Sequence, residues 1–169
     1  MEENKKIPVK IKITGKHTNF DNQNSTLDSN IIDISNKTTG TVDETIEEAF
    51  GLYSCRGTSM YLVYETKEAE DITIRNMIKM SIDPAEVKKT STLHKGTITS
   101  PASSISYILD ETGTGFYTTP YGRLDVKTFT KEMVILKNDT NITCYLKGHL
   151  EINNSPVSEF NLKIEAVAI

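Results

Sequence analysis

Apolar and polar residues alternate along several stretches of this 169-residue chain, and this period of two restricts its fold more than any other feature. In "DITIRNMIKMSI" the even positions from Ile72 to Ile82 are apolar except for Asn76, and the odd positions are mainly polar. The stretches "NITCYLKGHLEI" and "EFNLKIEAVAI" repeat the pattern. Because successive side chains of a β-strand point to opposite faces, each stretch predicts a strand with one buried face.

Shorter stretches of the same kind predict further strands at residues 9–13, 46–52, 61–64, 87–93 and 105–109, and another in "EMVILK". In "MYLVYE" the buried face belongs either to Tyr61 and Val63 or to Leu62 and Tyr64. The link "NNSPV" is rich in turn-forming residues and short enough to join antiparallel neighbours, so it predicts a hairpin between the last two strands.

Within "RLDVKTFTKEMVIL" the apolar residues move from even positions, such as Leu124, to odd positions, such as Phe129. A shift of one residue exchanges the two faces of a strand, so we expect a bulge or a strand boundary near Lys127 and Thr128. No helical spacing of apolar residues extends beyond a turn or two. The sequence therefore predicts an all-β protein of about eight to ten strands.

Two segments depart from this pattern. "SIDPAEVKK" has an Asp and a Pro where a short helix would begin, and it predicts either one helical turn or a turn between strands. Residues 17–40 are rich in Asn, Asp, Ser and Thr, and they predict a polar loop or flap inserted between the first two strands. No internal repeat is visible, so we expect a single domain over residues 1–169.

The amino-acid composition and the net charge exclude several classes of function. The chain is 37% hydrophobic and 25% charged, which is typical of water-soluble globular proteins. Its net charge of −4 argues against binding to nucleic acid, and no stretch is apolar enough to predict a membrane span. The N-terminal residues do not resemble a secretion signal, and Cys55 and Cys144 are too few for a disulfide framework. We therefore expect a cytoplasmic protein with two free thiols.

Antiparallel strands in even succession leave two exposed edges unless the sheet closes on itself. An up-and-down barrel removes both edges, and a β-sandwich is the alternative. In the stretch "YTTPYGRLDVKT" a proline and a glycine occupy the second and fourth positions of a four-residue turn, where they favour a tight corner from Thr119 to Gly122. Tyr117 and Tyr121 flank this corner.

The order of "GLYSCRGTSMYLVYE", "ITIRN", "LHKG", "GFYTTPYGRLDVKT" and "YLKGHLEINNSPVSEFNLKIEA" resembles a small bacterial family of uncharacterised proteins, the DUF1934 or YwiB-like family. The resemblance covers residues 9–165 apart from the flap, and its most specific element is the run of Tyr117, Thr119, Pro120 and Gly122. It implies a calycin-like barrel, similar to lipocalins and fatty-acid-binding proteins, and no established activity. The chain departs from the family where His94 replaces an arginine before Lys95 and Gly96.

Two functional hypotheses follow. A barrel of eight to ten strands can enclose one small apolar ligand, with a few polar residues to orient it, and we identify Asn76, Tyr117 and Tyr121 as its candidate ligand-binding residues. The simpler interpretation is that Asn76 bonds to backbone or marks a bulge and that the tyrosines only flank a structural corner. The alternative function is a barrel filled by its own side chains, with an unidentified protein partner docked outside.

An enzyme ranks third, because no nucleophile and base form a recognisable pair. The glycines of "GTGFYT" fit neither a dinucleotide-binding nor a phosphate-binding loop. The cysteines and histidines lack the spacing of a zinc site. We therefore assign no catalytic residues, no metal and no cofactor.

Overall fold

The computed structural model describes residues 5–20, 41–82 and 93–169, and these residues form strands and turns with no helix. Ten antiparallel strands follow one another along the chain: β1 Ile7–Asn19, β2 Val42–Arg56, β3 Ser59–Ala69, β4 Ile72–Ile82, β5 Leu93–Ser100, β6 Ser103–Ile108, β7 Thr112–Thr119, β8 Gly122–Lys137, β9 Asn141–Ile152 and β10 Ser155–Ala168. Each strand pairs with the next, and β1 pairs with β10 to close a barrel. The all-β prediction is confirmed, and the barrel rather than the sandwich is the architecture.

The two ends of the barrel differ. At the end where residues 57–58 and 138–140 link the strands, the inward side chains form a dense apolar core. Phe160 packs there against Tyr107, with the ring centroids 5.3 Å apart in an edge-to-face arrangement. We call this the packed end. The other end, where residues 101–102, 120–121 and 153–154 form the turns, is called the polar end.

The alternation along β4 illustrates the difference. Ile78 and Met80 are each 1% exposed, as the pattern predicts, but Ile72 on the same face is 52% exposed. Ile72 lies at the polar end, where β4 begins, and its side chain extends beyond the core. The expectation of a buried even face therefore holds for only part of the strand.

The bulge in β8 lies further along the strand than expected. The pairing with β9 shifts between Thr130 and Glu132, not near Lys127 and Thr128. Thr128 therefore remains on the inner face, where its hydroxyl donates to the Ser106 carbonyl oxygen at 2.6 Å. Buried threonines occupy the inner positions here, which an apolar pattern cannot show.

Phe129 lies on the outer face as a consequence, although the sequence pattern assigned it to the buried side. Its ring stacks on His149, with centroids 4.7 Å apart.

The hairpin between β9 and β10 is confirmed, with a loop of only two residues, Asn153 and Asn154, both at positive φ. Asparagine tolerates this conformation better than most residues, which explains the tight turn.

The set of strands also differs in detail from the sequence prediction. β5 and β7 were not predicted as separate strands, because their threonines, serines and glycines obscure the alternation. β1 continues to Asn19 and so includes residues 17–19 of the expected flap. The rest of that flap, the expected helical turn in "SIDPAEVKK" and most of the expected strand at 87–93 lie outside the described residues.

Glycines allow two neighbouring strands to approach closely. A Cβ on Gly113 of β7 would overlap the carbonyl oxygen of Ser106, and one on Gly115 would overlap that of Ser104. Because glycine has no side chain, β7 can lie against β6 at both points.

Within the part of the chain that the structure describes, no helix is long and apolar enough to cross a membrane.

Candidate functional site

A row of inward-facing residues with polar groups lies across five neighbouring strands near the polar end. Tyr64 is directly opposite Asn76, and Ser103 lies opposite both Ser100 and Tyr117. Residues paired in this way share a face of the sheet, so β3 to β7 each contribute one side chain to the same level of the barrel. We call Tyr64, Asn76, Ser100, Ser103 and Tyr117 the polar row.

The next inward residues toward the packed end are apolar. Pairing connects Leu62 to Ile78, Ile78 to Ile98 and Ile98 to Ile105, and these four residues form the apolar row. Three of them are buried, and Ile98 is half-buried. A row of hydrogen-bonding groups therefore lies beside a mostly buried apolar row, and sites for small organic molecules combine these two kinds of side chain.

Asn76 is held in place by its amide nitrogen. Its Nδ2 donates to Thr66 Oγ1 at 3.0 Å and to the Ile74 carbonyl oxygen at 3.4 Å. Its Oδ1 accepts no hydrogen bond from a described residue. The side chain thus makes the backbone contact of the simpler interpretation, and it also leaves one oriented acceptor available.

Sequence reasoning missed two buried tyrosines as site residues, Tyr64 in the polar row and Tyr107, which lies one inward position beyond Ile105 of the apolar row. Their side chains are 4% and 7% exposed, yet neither hydroxyl has a hydrogen-bond partner among residues 5–20, 41–82 and 93–169. Burial raises the pKa of Tyr64, and the nearby charge of Glu47 raises it further. Burial also raises the pKa of Tyr107, with a smaller contribution from Tyr117. Both hydroxyls therefore stay protonated and can donate or accept a hydrogen bond.

A signal for Tyr64 was present in the sequence. Tyr64 belongs to one of the two alternating sets of residues in "MYLVYE". In the structure Leu62 and Tyr64 are the pair that points inward. A tyrosine at an inward position brings a polar tip into an apolar interior. Tyr107 has the same property on β6, at the position before Ile108.

The two tyrosines that flank the corner have different surroundings. Tyr117 belongs to the polar row, is 44% exposed and has its pKa raised by partial burial. Tyr121 lies in the turn between β7 and β8 and is fully exposed, so the fold does not bring it to the row.

The corner itself forms where the sequence predicts it. The Thr119 hydroxyl donates to the Gly122 carbonyl oxygen at 2.7 Å and accepts a hydrogen bond from the Tyr121 amide at 3.2 Å. Gly122 has a φ of 127°, a conformation that side chains disfavour. The turn therefore depends on glycine for its backbone and on threonine for its hydrogen bonds.

The cysteines lie outside this region. Cys144 is fully buried on β9, and burial raises the pKa of its thiol to about 12. The Tyr53 hydroxyl and the Cys55 Sγ form a hydrogen bond at 2.6 Å. Within the described ranges, no group of three or more His, Cys, Asp and Glu residues is placed to hold a metal ion.

Comparison with known proteins gives two matches. A family model described as "Domain of unknown function (DUF1934)" matches residues 30–164. Among solved structures, the crystal structure of the ywiB protein from Bacillus subtilis is similar, with a TM-score of 0.65 and 12% sequence identity over 97% of this chain and 93% of that chain. None of the curated proteins compared with the chain matches it. At this identity the structural likeness shows a shared fold.

Proposed function

The chain belongs to the DUF1934 family, and from this premise we propose that its barrel binds one small organic molecule near the polar end. The family description assigns no activity, so the proposal rests on the interior of the barrel. The fold is consistent with the calycin-like barrels that the sequence resemblance implies, and barrels of this size can hold one small ligand.

The observation that carries the proposal is the pair of hydroxyls on Tyr64 and Tyr107. Both side chains are mostly buried, and neither hydroxyl bonds to a described residue. Neither hydroxyl is sealed from solvent, since Thr130 Oγ1 is the one fully buried side-chain polar atom without a partner among the described residues. A tyrosine hydroxyl in such a place can bond to water or to the polar group of a bound molecule.

The two rows define the chemistry of that molecule. An apolar portion would lie against Ile98 and its neighbours in the apolar row, and a hydrogen-bonding group would face the polar row. Asn76 Oδ1 accepts hydrogen bonds only, whereas tyrosine and serine hydroxyls both donate and accept. We therefore propose an amphipathic ligand that is mainly apolar and carries at least one donor group, which adds this group to the small apolar ligand expected from the sequence.

We place this binding in the cytoplasm, because both cysteines are free thiols and such thiols persist in reducing compartments. The proposal involves neither a membrane nor nucleic acid. The net charge of −4 disfavours binding to the phosphates of nucleic acid.

The test combines native mass spectrometry with probe binding. Protein purified from its own cells should carry a reproducible extra mass, and in titration it should take up a fluorescent fatty-acid amide, whose N–H group is a donor for Asn76 Oδ1. Tyr64→Phe and Asn76→Ala should each weaken probe binding about tenfold, which corresponds to about 1.4 kcal/mol for one lost hydrogen bond. Tyr61→Phe is the matched control, because Tyr61 lies on the same strand and faces outward, with its ring 5.7 Å from Lys79 Nζ.

The competing function is a barrel that binds no ligand and serves as a structural or interaction module. The apolar core favours it, since twenty of the described residues, Tyr64 and Tyr107 among them, are already buried in one cluster. A bare chain in the mass spectrum, together with no uptake of the fluorescent fatty-acid amide by the parent protein, would contradict the binding proposal and support this alternative.

A further inference from the structure

The first part of β2 has a described neighbour on one edge only. Residues 42–50 pair with β1, whereas pairing between β2 and β3 begins at Gly51 opposite Tyr64. On the other side of the gap, residues 65–69 of β3 pair with β4. Among the described residues, two strand edges therefore face each other without pairing near the polar end. We call residues 42–50 the β2 edge.

Both faces of the β2 edge are accessible. Every residue from 41 to 48 is exposed, on the inner face as well as the outer. Ile46 and Phe50 project from the outer face and are 60% and 68% exposed. An exposed strand edge with alternating apolar side chains is a template for an added strand, because its unpaired N–H and C=O groups can extend the ladder.

Charge indicates which kind of strand would fit. The β2 edge carries four acids, Asp43, Glu44, Glu47 and Glu48, and no base. On the facing edge of β3, Glu65 and Glu68 outnumber Lys67. The gap is therefore strongly acidic, so a basic strand would be favoured there and an acidic strand would be disfavoured.

The pairing of β2 with β1 shows a strand that suits this sequence. Lys12 lies opposite Glu48 and Lys16 opposite Glu44, and Lys10 Nζ is 4.0 Å from Glu48 Oε2. Between those lysines β1 carries inward isoleucines. A strand that alternates lysine with β-branched residues thus already pairs with one edge of β2.

We propose that the β2 edge binds an extended segment of a partner protein in which lysines alternate with β-branched or aromatic residues, by addition of a strand to the barrel. A second copy of this chain is a poorer fit, since antiparallel pairing of two β2 edges would bring acids against acids. The proposal is independent of ligand binding inside the barrel, and the residues used to test it are different.

The test uses the full-length protein and a nine-residue peptide of alternating lysine and valine, with binding measured by fluorescence anisotropy. The parent peptide should bind, and a peptide with glutamate in place of lysine should bind at least tenfold more weakly. Two further peptides carry N-methyl groups on alternate amides, one on each of the two possible sets. The peptide that is methylated on the amides facing the β2 edge should bind at least tenfold more weakly, because those amides form the hydrogen bonds between the two strands.

Substitutions in the protein complete the test. Ile46→Ser and Phe50→Ser should each weaken binding severalfold, while Val167→Ser should not. Val167 is the matched control, since it is 45% exposed on β10 and lies opposite both Lys10 of β1 and Asn141 of β9, so its strand is paired on both edges at that point. Absence of peptide binding, or equal binding by both N-methylated peptides, would overturn the proposal. A homodimer that Phe50→Ser dissociates would also overturn it by identifying a second copy as the occupant.

Discussion

The packed end and the polar end of the barrel use the same alternation of side chains for different purposes. At the packed end inward positions hold residues such as Met80 and Cys144, which are 1% and 0% exposed. At the polar end the same strands place Asn76 and Tyr117 inward, with hydrogen-bonding groups that other described residues do not fully satisfy. The comparison shows that a strand pattern identifies the inner face but not the length of it that becomes core.

The inward residues are buried at one end and accessible at the other because the sheet closes fully only at the packed end. At the packed end β2 pairs with both β1 and β3, so its inward side chains have a paired strand on each side. At the polar end the described parts of β2 and β3 separate, and inward residues of β2 such as Thr45 are exposed. Burial therefore follows the pairing of the strands, and four predictions depend on this contrast.

The largest expected effect compares two isoleucines on the same face of β4. Ile78→Ala should lower the free energy of unfolding by about 2–5 kcal/mol, because it leaves a cavity in the core. Ile72→Ala should cost less than about 1 kcal/mol, because that side chain is already 52% exposed. Urea denaturation of both variants measures the contrast, and similar losses would show that the polar end is packed as densely as the other.

A smaller effect is expected from the backbone of the polar end. Gly122→Val should destabilise by roughly 1–3 kcal/mol, because a β-branched residue at a φ of 127° is strained. Tyr121→Val, at the neighbouring and fully exposed turn position, should stay within about 0.5 kcal/mol of the parent. Thermal melting distinguishes them, and an unchanged melting temperature for Gly122→Val would mean that the turn does not require glycine.

Alkaline pH should weaken the packed end through Cys144. Burial raises the pKa of this thiol to about 12, so the folded chain keeps it neutral while the unfolded chain ionises it near its ordinary pKa. The stability that depends on the neutral thiol is complete below about pH 8.5 and is lost as the pH rises toward 12. We expect a loss of roughly 1 kcal/mol between pH 8 and pH 9.5.

The measurement is urea denaturation at these two pH values, at which most tyrosines of the unfolded chain remain protonated. Cys144→Ala is the control, because it removes the titrating group from the same site. Its stability should depend less on pH over this interval. An equal slope in the parent and the variant would assign the loss to other groups.

The smallest effect concerns His17 near the polar end. Burial lowers the pKa of this imidazole, and Asp43, which lies opposite it, partly offsets the change. NMR titration should therefore place its pKa below the ordinary value, and Asp43→Asn should lower it further. Since the folded pKa is lowered, protonation of His17 on acidification favours the unfolded chain. A pKa that rises in the Asp43→Asn variant would contradict the assignment.

The candidate site was only partly predictable. Asn76 was singled out because it interrupts a row of apolar residues, and Tyr117 because it precedes a specific corner. The sequence could not show that they belong to one row, since β4 and β7 are connected only through the registers of β5 and β6. Tyr107 was missed because nothing local distinguishes a tyrosine with an unpaired hydroxyl from one packed in a core.

The sequence by itself determined the all-β class, the hairpin of β9 and β10 and the corner at Thr119 to Gly122, because a period of two and turn chemistry act between neighbours along the chain. Tertiary structure alone decided the bulge beyond Thr130, the outward position of Phe129 and the exposure of Ile72. These features depend on how ten strands match their registers around a closed ring, and each register is a relation between residues distant in sequence.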